Sequence, residues 1–304
     1  MPLSDIEPKT PFMKTLIIHT CAAMTLFLPL VVKAQKTVIK PEDTAVATAK
    51  ILDVFVAKLE TRPSFLMEML ADDRDRAERL LRAAQKDRPT ARAWPLDIRM
   101  LFAADASAGR KLEGKAKVDH FKRAVVYLRE SLDITLQVLA ENPNQNLEAM
   151  WPDLALDLAS ASVETGELKF AKLHATKTLQ YNKDREGWNY GNIIHNANQI
   201  LGRVSLREGK LADAKAYLLK AGATPGSAQL NSFGPQMSLA TELVKKGENE
   251  TVLEYLDLVA AFWANPDERT EANSKRSARQ NRDLLELWKK EIGAGKVPAH
   301  AKWR

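Results

Sequence analysis

Apolar residues recur at helical spacing along nearly the whole chain, and runs of alternating β-branched residues are almost absent. In one segment the apolar positions are Phe121, Val125, Leu128, Leu132, Leu136 and Leu139. A stripe with this period faces a core only when the segment is an α-helix, because a strand repeats every two residues. The pattern therefore predicts an all-α protein.

Proline and glycine residues divide the first half of the chain into helices of ordinary length. These breakers are Pro63, Pro89, Pro95, Gly109, Gly114 and Pro143. No long linker separates them, so one continuous helical body is favoured over two domains. With 304 residues, 45% of them hydrophobic, the chain can bury a substantial core. Its composition excludes collagen, low-complexity and disulfide-scaffold proteins.

The segment near the N-terminus has the pattern of an export signal. Lys14 is followed by eighteen residues without formal charge, and Val32-Lys33-Ala34 provides a small-residue cleavage motif. We expect residues 1–34 to be a signal peptide that is cleaved after Ala34, which predicts a periplasmic or extracellular protein. The alternative is an uncleaved helix that anchors the protein in the membrane.

Cys21 is the only cysteine, and it lies inside this segment. Ile18-His19-Thr20 lacks the small residue that usually precedes a lipidated bacterial cysteine, so lipidation is disfavoured. A chain cleaved after Ala34 has no cysteine, which excludes disulfides, thiolate catalysis and cysteine zinc sites. Translation starts at either Met1 or Met13, since Met13-Lys14 would itself make a compact basic start.

Three glycines, Gly166, Gly209 and Gly247, have similar neighbours at the same distances. Leucine and a small residue lie eight and seven positions before them: Leu158 and Ala159, Leu201 and Gly202, Leu239 and Ala240. Small or apolar residues follow five and nine positions after them: Ala171 and Ala175, Ala214 and Leu218, Val252 and Leu256. Helices that cross closely need small residues at the crossing, and a glycine between them lets the chain reverse. The spacing predicts a repeated helix–turn–helix unit.

The middle unit resembles a tetratricopeptide repeat through Asn198-Gln199-Ile200-Leu201-Gly202 with Gly209, Ala214, Leu218 and Ala221. Asn198 replaces the first aromatic residue of that pattern, and Ser205 replaces the tyrosine in the middle of the helix. The three glycines are 43 and 38 residues apart, whereas the family period is about 34. The resemblance covers residues 152–263, with insertions between units, and implies a stack of antiparallel helix pairs that forms an α-α superhelix.

These patterns predict four parts of the chain. The signal peptide occupies residues 1–34, and an N-terminal helical region of diverged repeats or caps occupies residues 35–150. The tetratricopeptide-like repeats follow at 151–263, and a charged C-terminal helix and tail occupy 264–304. Stacked arrays need capping helices at their ends, which is why helices are expected on both sides of the repeats.

The resemblance also implies a partner-binding groove lined by the first helix of each unit. In the middle unit the groove positions are Asn196, Gln199, Arg203, Leu206 and Arg207, and the preceding Trp188 and Tyr190 are further candidates. Arg203 and Arg207 share a helix face, so together they can bind a carboxylate of a peptide or a glycan. The alternative is that they pair with acidic residues of neighbouring helices, such as Glu164 or Glu242.

Two insertions, residues 188–196 and 222–235, do not follow from the repeat. They are similar to segments of a group of exported bacterial repeat proteins of uncharacterised function. One interpretation is structural: Asn and Ser side chains cap helices and tie down turns, and the aromatic residues Trp188, Tyr190 and Phe233 fill gaps between repeats. The other is a hydrolase or lyase for an envelope polymer. Its candidate residues are Trp188, Tyr190, His195 and Asn231, with Ser227 and Ser232 as candidate nucleophiles, although no Gly-x-Ser-x-Gly motif is present.

The sequence contains no pattern for a metal, cofactor or nucleic-acid site. His120, His174, His195 and His300 do not pair at metal-ligand spacing, and phosphate-binding glycine loops are absent. Basic residues after Lys275 are interleaved with acidic ones, as in a solvated helix face, which leaves peripheral contact with an anionic envelope surface as an option. We therefore expect a non-catalytic interaction or scaffold protein with a protein or peptide partner. A further alternative is a membrane-anchored assembly factor of the envelope.

Overall fold

The computed structural model describes residues 53–59, 62, 64–87, 94–141, 151–183, 187–265 and 272–299. Every regular element within these ranges is a helix, which confirms the all-α prediction for the described residues. The chain divides into Met1–Glu42 and Asp43–Arg304, and only the second unit contains described residues. The expected signal peptide and the alternative membrane anchor therefore lie outside them. None of the described helices has the length and apolar character that a membrane span requires.

The helices are numbered in chain order. They are α1 (residues 53–59), α2 (Phe65–Asp72), α3 (Arg74–Asp87), α4 (Trp94–Arg110), α5 (Gly114–Glu141), α6 (Trp151–Thr165), α7 (Leu168–Asn182), α8 (Tyr190–Arg207), α9 (Leu211–Gly222), α10 (Ala228–Phe233), α11 (Ser238–Val244), α12 (Asn249–Trp263) and α13 (Ala272–Gly293).

The N-terminal helices form their own core. Helices α1 to α4 pack around Leu66, Leu81, Ile98 and Leu101, and Tyr127 of α5 closes one side. Helices α4 and α5 are joined by a short turn and pack along each other as an antiparallel pair.

Three further pairs, α6 with α7, α8 with α9 and α11 with α12, are joined by the same type of turn. The glycine of this turn is Gly166, Gly209 or Gly247, with φ of 82°, 76° and 83° respectively. This left-handed backbone conformation is unfavourable for any residue that has a Cβ atom. The residue after each glycine donates its N–H to a carbonyl in the last turn of the first helix. These bonds are Glu167 N to Ser162 O (2.9 Å), Lys210 N to Ser205 O (2.8 Å) and Glu248 N to Leu243 O (3.0 Å).

The first helices of consecutive pairs are neighbours. Helix α6 packs against α8 as well as against α7, and α8 packs against α11 as well as against α9. The second helices also contact the following pair: α7 packs against α8, and α9 packs against α12. Helix α8 therefore lies at the centre of this part of the fold, and most of its residues are buried.

Small residues lie where the helices of a pair approach most closely. A Cβ on Gly202 would lie 3.3 Å from the Ala214 carbonyl oxygen and 3.1 Å from the Tyr217 Cβ. The other leucine, alanine and valine positions of the repeat pattern are all buried: Leu158, Ala159, Ala171, Leu201, Ala214, Leu218, Ala221, Leu239, Ala240, Val252 and Leu256.

The two insertions are packed directly against each other. The Thr224 hydroxyl donates to the Gly191 carbonyl at 2.9 Å. A Cβ on Gly191 would lie only 1.8 Å from the Gly226 carbonyl oxygen, so the two backbones touch. Gly226 itself has a φ of 81° and lies against Phe262 of α12. The insertions therefore form one structure that lies against the third pair.

Helix α13 covers the end of the third pair. It runs antiparallel to α12, with the Asn281 amide donating to the Trp263 carbonyl at 3.1 Å and Lys289 paired with Asp257 at 2.8 Å. The rings of Trp263 and Trp288 stack with their centroids 5.6 Å apart. Its buried face closes the core at this end.

Candidate functional site

The five groove positions of the middle unit differ in exposure. Gln199, Arg203 and Leu206 are buried, Asn196 is partly buried, and Arg207 is exposed, its side chain being 41% accessible. The amide of Gln199 is used inside the fold: its nitrogen donates to the Tyr255 hydroxyl at 3.2 Å, and its oxygen accepts from the Leu239 N–H at 3.3 Å. Of these five positions, only Asn196 and Arg207 are therefore at least partly accessible from outside the fold.

Five charged residues on four helices form a continuous chain of ion pairs, which we call the ionic ladder. Lys117 of α5 pairs with Glu164 of α6 at 2.7 Å, and Glu164 accepts from Arg203 of α8 at 2.6 Å. Arg203 also donates to Glu242 of α11, through Nη2 at 2.8 Å and through Nε at 3.0 Å. Glu242 then accepts two hydrogen bonds from Arg207, at 2.8 and 2.9 Å. The arginines thus make the intramolecular pairs that the sequence left as one of two options.

The three inner residues of the ladder, Glu164, Arg203 and Glu242, are ionised at neutral pH. Burial acts to lower the pKa of Arg203, but the charges of Glu242 and Glu164 outweigh it and raise that pKa above its ordinary value. Burial acts to raise the pKa of Glu164 and of Glu242, but Arg203 and the other cations of the ladder hold both below the ordinary value. Each buried charge therefore depends on its neighbours in the ladder.

His195 lies at the centre of the fold and is fully buried. Its Nε2 accepts from the Gln236 N–H at 2.9 Å, so the ring proton is on Nδ1, which donates to the Ala221 carbonyl at 2.9 Å. Burial lowers the pKa of His195 to about 4, although the bond to Ala221 acts to raise it. The imidazole is therefore neutral at pH 7, and it ties α8 to the end of α9 and to Gln236, which directly follows the second insertion.

The other candidate catalytic residues also make structural hydrogen bonds. Ser227 caps α10 by accepting from the Leu230 N–H at 3.0 Å. Ser232 donates to the Ala228 carbonyl at 2.7 Å. The Asn231 amide, oriented so that both of its atoms are satisfied, donates to the carbonyls of Ser227 and Phe262. These are the capping and turn roles of the structural interpretation.

The aromatic residues of the insertions behave differently from the expectation. Trp188 and Phe233 are each 43% exposed, and Tyr190 is partly buried. The expectation that Trp188 and Phe233 fill gaps between repeats is wrong, because nearly half of the surface of each residue is exposed. Two large aromatic side chains are left at the surface of the joined insertions.

Five polar side chains link these insertions to α6, and we call them the amide cluster. Asn189 donates to Asp153 Oδ1 at 2.9 Å, and Asn192 donates to Asn189 Oδ1 at 2.7 Å. Asn192 also donates to Gln229, and Ser227 donates to Asn192 Oδ1 at 2.6 Å. Gln229 was not singled out in the sequence, because only the fold brings α10 against α8.

A second charged network lies among α3, α4 and α5. Asp105 is buried and accepts from Arg74 at 2.6 Å and from Arg123 at 2.9 Å, and His120 Nδ1 lies 2.9 Å from it. Arg74 also contacts the hydroxyl of Tyr127 at 2.5 Å. This network holds the N-terminal helices together and was not visible in the sequence, since its members are far apart along the chain.

Within the described residues, no cluster of three or more His, Cys, Asp or Glu side chains is arranged to hold a metal ion. No protein-family model matches the chain, and neither a curated protein nor a solved structure matches it. Functional inference therefore rests on the chain's own residues and their geometry.

Proposed function

We propose that this chain is a non-catalytic, tetratricopeptide-like scaffold that binds a protein or peptide partner on the face of its first helices. The supporting observation is the turn shared by three helix pairs together with the contacts of α6 with α8 and of α8 with α11. Identical turns between successive pairs place equivalent helices side by side, which is how repeat proteins form extended binding surfaces.

The contacts of the polar residues support a scaffold over a hydrolase or lyase. His195 is buried and bonded to two backbone groups, and Ser227 and Asn231 hold α10 in place. A general base must reach the proton that it removes, and a fully buried imidazole with both nitrogens occupied does not.

Arg207 is the residue best placed to contact the partner. The ionic ladder contains three cations and two anions, so it has one excess positive charge, and Arg207 is its exposed end. The buried Arg203 is held by two carboxylates, which fixes the position of the helices behind this surface. A partner with a carboxylate near Arg207 and polar groups near Asn196 would complement the face.

Site-specific photo-crosslinking tests this surface. A photoreactive amino acid replaces Asn196 in one variant and Leu173 in the control, since Leu173 is 49% exposed on α7, a second helix. We expect a discrete adduct from position 196 in cells that express the protein, none from position 173, and a weaker adduct when Arg207→Gln is added. Equal labelling from both positions, or none from position 196, would contradict the proposal.

We also propose that the protein is exported and works in the periplasm or outside the cell. The support is the uncharged segment 15–32 and the Val32-Lys33-Ala34 motif. N-terminal sequencing of the protein from the cell envelope fraction distinguishes the alternatives. A mature start at Gln35 supports export, and an intact N-terminus in the membrane fraction supports the anchored assembly factor instead.

A further inference from the structure

The amide cluster has unused hydrogen-bonding groups at both ends. In its interior, Asn192 donates to Asn189 and Gln229 and accepts from Ser227, so its amide is fully engaged. At one end, Asp153 accepts from Asn189 through Oδ1 only, and its Oδ2 has no partner among the described residues. At the other end, the Gln229 amide nitrogen has no hydrogen-bond acceptor within the described part of the chain. Both end residues are partly exposed.

Two members of this cluster have an exposed aromatic residue close to them in the chain. Trp188 directly precedes Asn189, and Phe233 lies one helical turn after Gln229 on α10. A single exposed aromatic residue is ordinary in a soluble protein. Here two of them accompany a set of ordered polar groups, and such a combination of apolar area with a few fixed polar groups is the usual composition of a ligand site.

The position of Asp153 also suits a neutral ligand. Burial raises the pKa of Asp153, with Asp157 acting in the same direction and the Asn189 hydrogen bond and Arg99 acting against it. The nearby cation Arg99 is already paired with Asp157 at 2.5 Å. Among the described residues, the site thus offers an acceptor and an amide donor, and the cation that acts on Asp153 is already paired, which favours a neutral ligand over an anionic one.

We propose that Asp153, Trp188 and Gln229 bind a saccharide. Each hydroxyl of a sugar both donates and accepts, so the same ligand satisfies the Asp153 oxygen and the Gln229 amide. The flat C–H face of a pyranose ring covers the exposed face of Trp188, which presents a large rigid surface with little loss of conformational freedom. Saccharides built from pyranose rings that present such a face are the class to which this site is assigned.

This inference does not depend on the proposed partner-binding role. The saccharide site is defined by Asp153, Trp188 and Gln229, whereas the partner surface is tested at two other residues, Asn196 and Arg207. Loss of crosslinking with retained saccharide binding would contradict only the scaffold proposal, and the reverse result would contradict only the saccharide site.

Isothermal titration calorimetry of the purified chain with cellotriose and with tri-N-acetylchitotriose tests the site. We expect at least one of these two probes to bind, and Trp188→Ala to weaken that binding by about tenfold or more. Trp188→Phe keeps an aromatic face and should retain most of the affinity, and Asp153→Asn should weaken binding through loss of the carboxylate. Leu173→Ala, at an equally exposed apolar residue elsewhere, is the matched control and should bind as the wild type does.

A melting curve recorded for each variant separates loss of binding from loss of fold. Trp188→Ala should lower the melting temperature only slightly, because nearly half of the residue is exposed. Two results would overturn the proposal: neither trisaccharide binds the wild type at about 10 mM, or Trp188→Ala binds as tightly as the wild type does. Saturation-transfer NMR on the wild type gives a second reading that needs no variant.

Discussion

Gly202 and Leu239 are in such close contact that a Cβ on Gly202 would lie 2.2 Å from Leu239 Cδ2. Leu239 is fully buried at the start of α11, so its side chain has no free space into which to move. The contact joins the first helices of two consecutive pairs, and the Ala214 carbonyl closes the other side. Residue 202 therefore sets the distance between three helices at once.

Enlarging residue 202 should destabilise the protein. Gly202→Leu should lower the free energy of unfolding by about 3 kcal/mol through overpacking. Gly202→Ala should lower it less, by about 1 kcal/mol, because the higher helix propensity of alanine offsets part of the clash. Gly293→Ala, where a Cβ meets nothing within 4 Å, is the control and should be close to neutral. Urea unfolding measures all three, and a wild-type midpoint for Gly202→Leu would refute this packing.

The backbone conformation of the shared turn should make a substitution of its glycine unfavourable even where there is room for a side chain. No atom lies within 4 Å of a Cβ placed on Gly209, but its φ is 76°. Gly209→Ala should therefore lower the free energy of unfolding by about 1 to 2 kcal/mol. Gly187 is equally unobstructed and has no positive φ, so Gly187→Ala should have almost no effect. If both variants unfold at the same denaturant concentration, the left-handed turn at Gly209 is not required.

Arg203 and Arg207 should contribute very differently to stability, although both bind Glu242. Arg203→Met leaves two mostly buried carboxylates without their shared partner and should lower the free energy of unfolding by about 3 kcal/mol. The loss is limited to this value because Lys117 and Arg207 still pair with the two carboxylates. Arg207→Met removes an exposed pair and should cost less than about 1 kcal/mol. Thermal unfolding of both variants provides the comparison, and similar losses would contradict the buried role of Arg203.

The pH dependence of the Arg203→Met effect has a definite sign. The folded-state pKa of Glu164 and of Glu242 lies below the ordinary 4.5. Their contribution to stability is therefore complete above pH 4.5 and is lost as the pH falls through the lowered folded-state pKa. The difference in the free energy of unfolding between wild type and Arg203→Met should become smaller in acid. A difference that grows in acid would contradict the pairing of Arg203 with ionised Glu164 and Glu242.

His195 should make the protein less stable in mild acid. Its pKa is about 4 when folded, against 6.5 for the free side chain. Between those two values the unfolded chain binds a proton that the folded chain does not, so stability falls as the pH falls, by about 3 kcal/mol in total. His195→Gln should remove most of this slope in the free energy of unfolding. His174 also has a lowered pKa through burial, so His174→Gln is the control and should remove less of it.

The sequence was sufficient for the features that depend on neighbours along the chain. Apolar spacing predicted the helices, and the glycine spacing located the turns at Gly166, Gly209 and Gly247, because both are local properties of the backbone. The sequence left two options for Arg203, since only the fold decides whether Glu164 and Glu242 reach it. Burial of Gln199 was likewise not predictable: it depends on Tyr255, which is distant in the chain.

The insertions also have features that could not be predicted from the sequence. Their composition correctly indicated caps and turns, as at Ser227, but it gave no sign that the two segments touch. In one interpretation Trp188 and Phe233 fill gaps between repeats, but both are 43% exposed, and only the fold reveals this. Gln229 acquired its place in the amide cluster only through the fold.

The contact between Gly191 and the Gly226 carbonyl has a consequence for protein engineering. Residue 191 has no room for any side chain as long as residue 226 keeps its position, and Gly226 has a backbone conformation of its own to preserve. A change that moves the backbone at either glycine disturbs the contact between the two insertions. Any chimera should therefore transfer the two segments together.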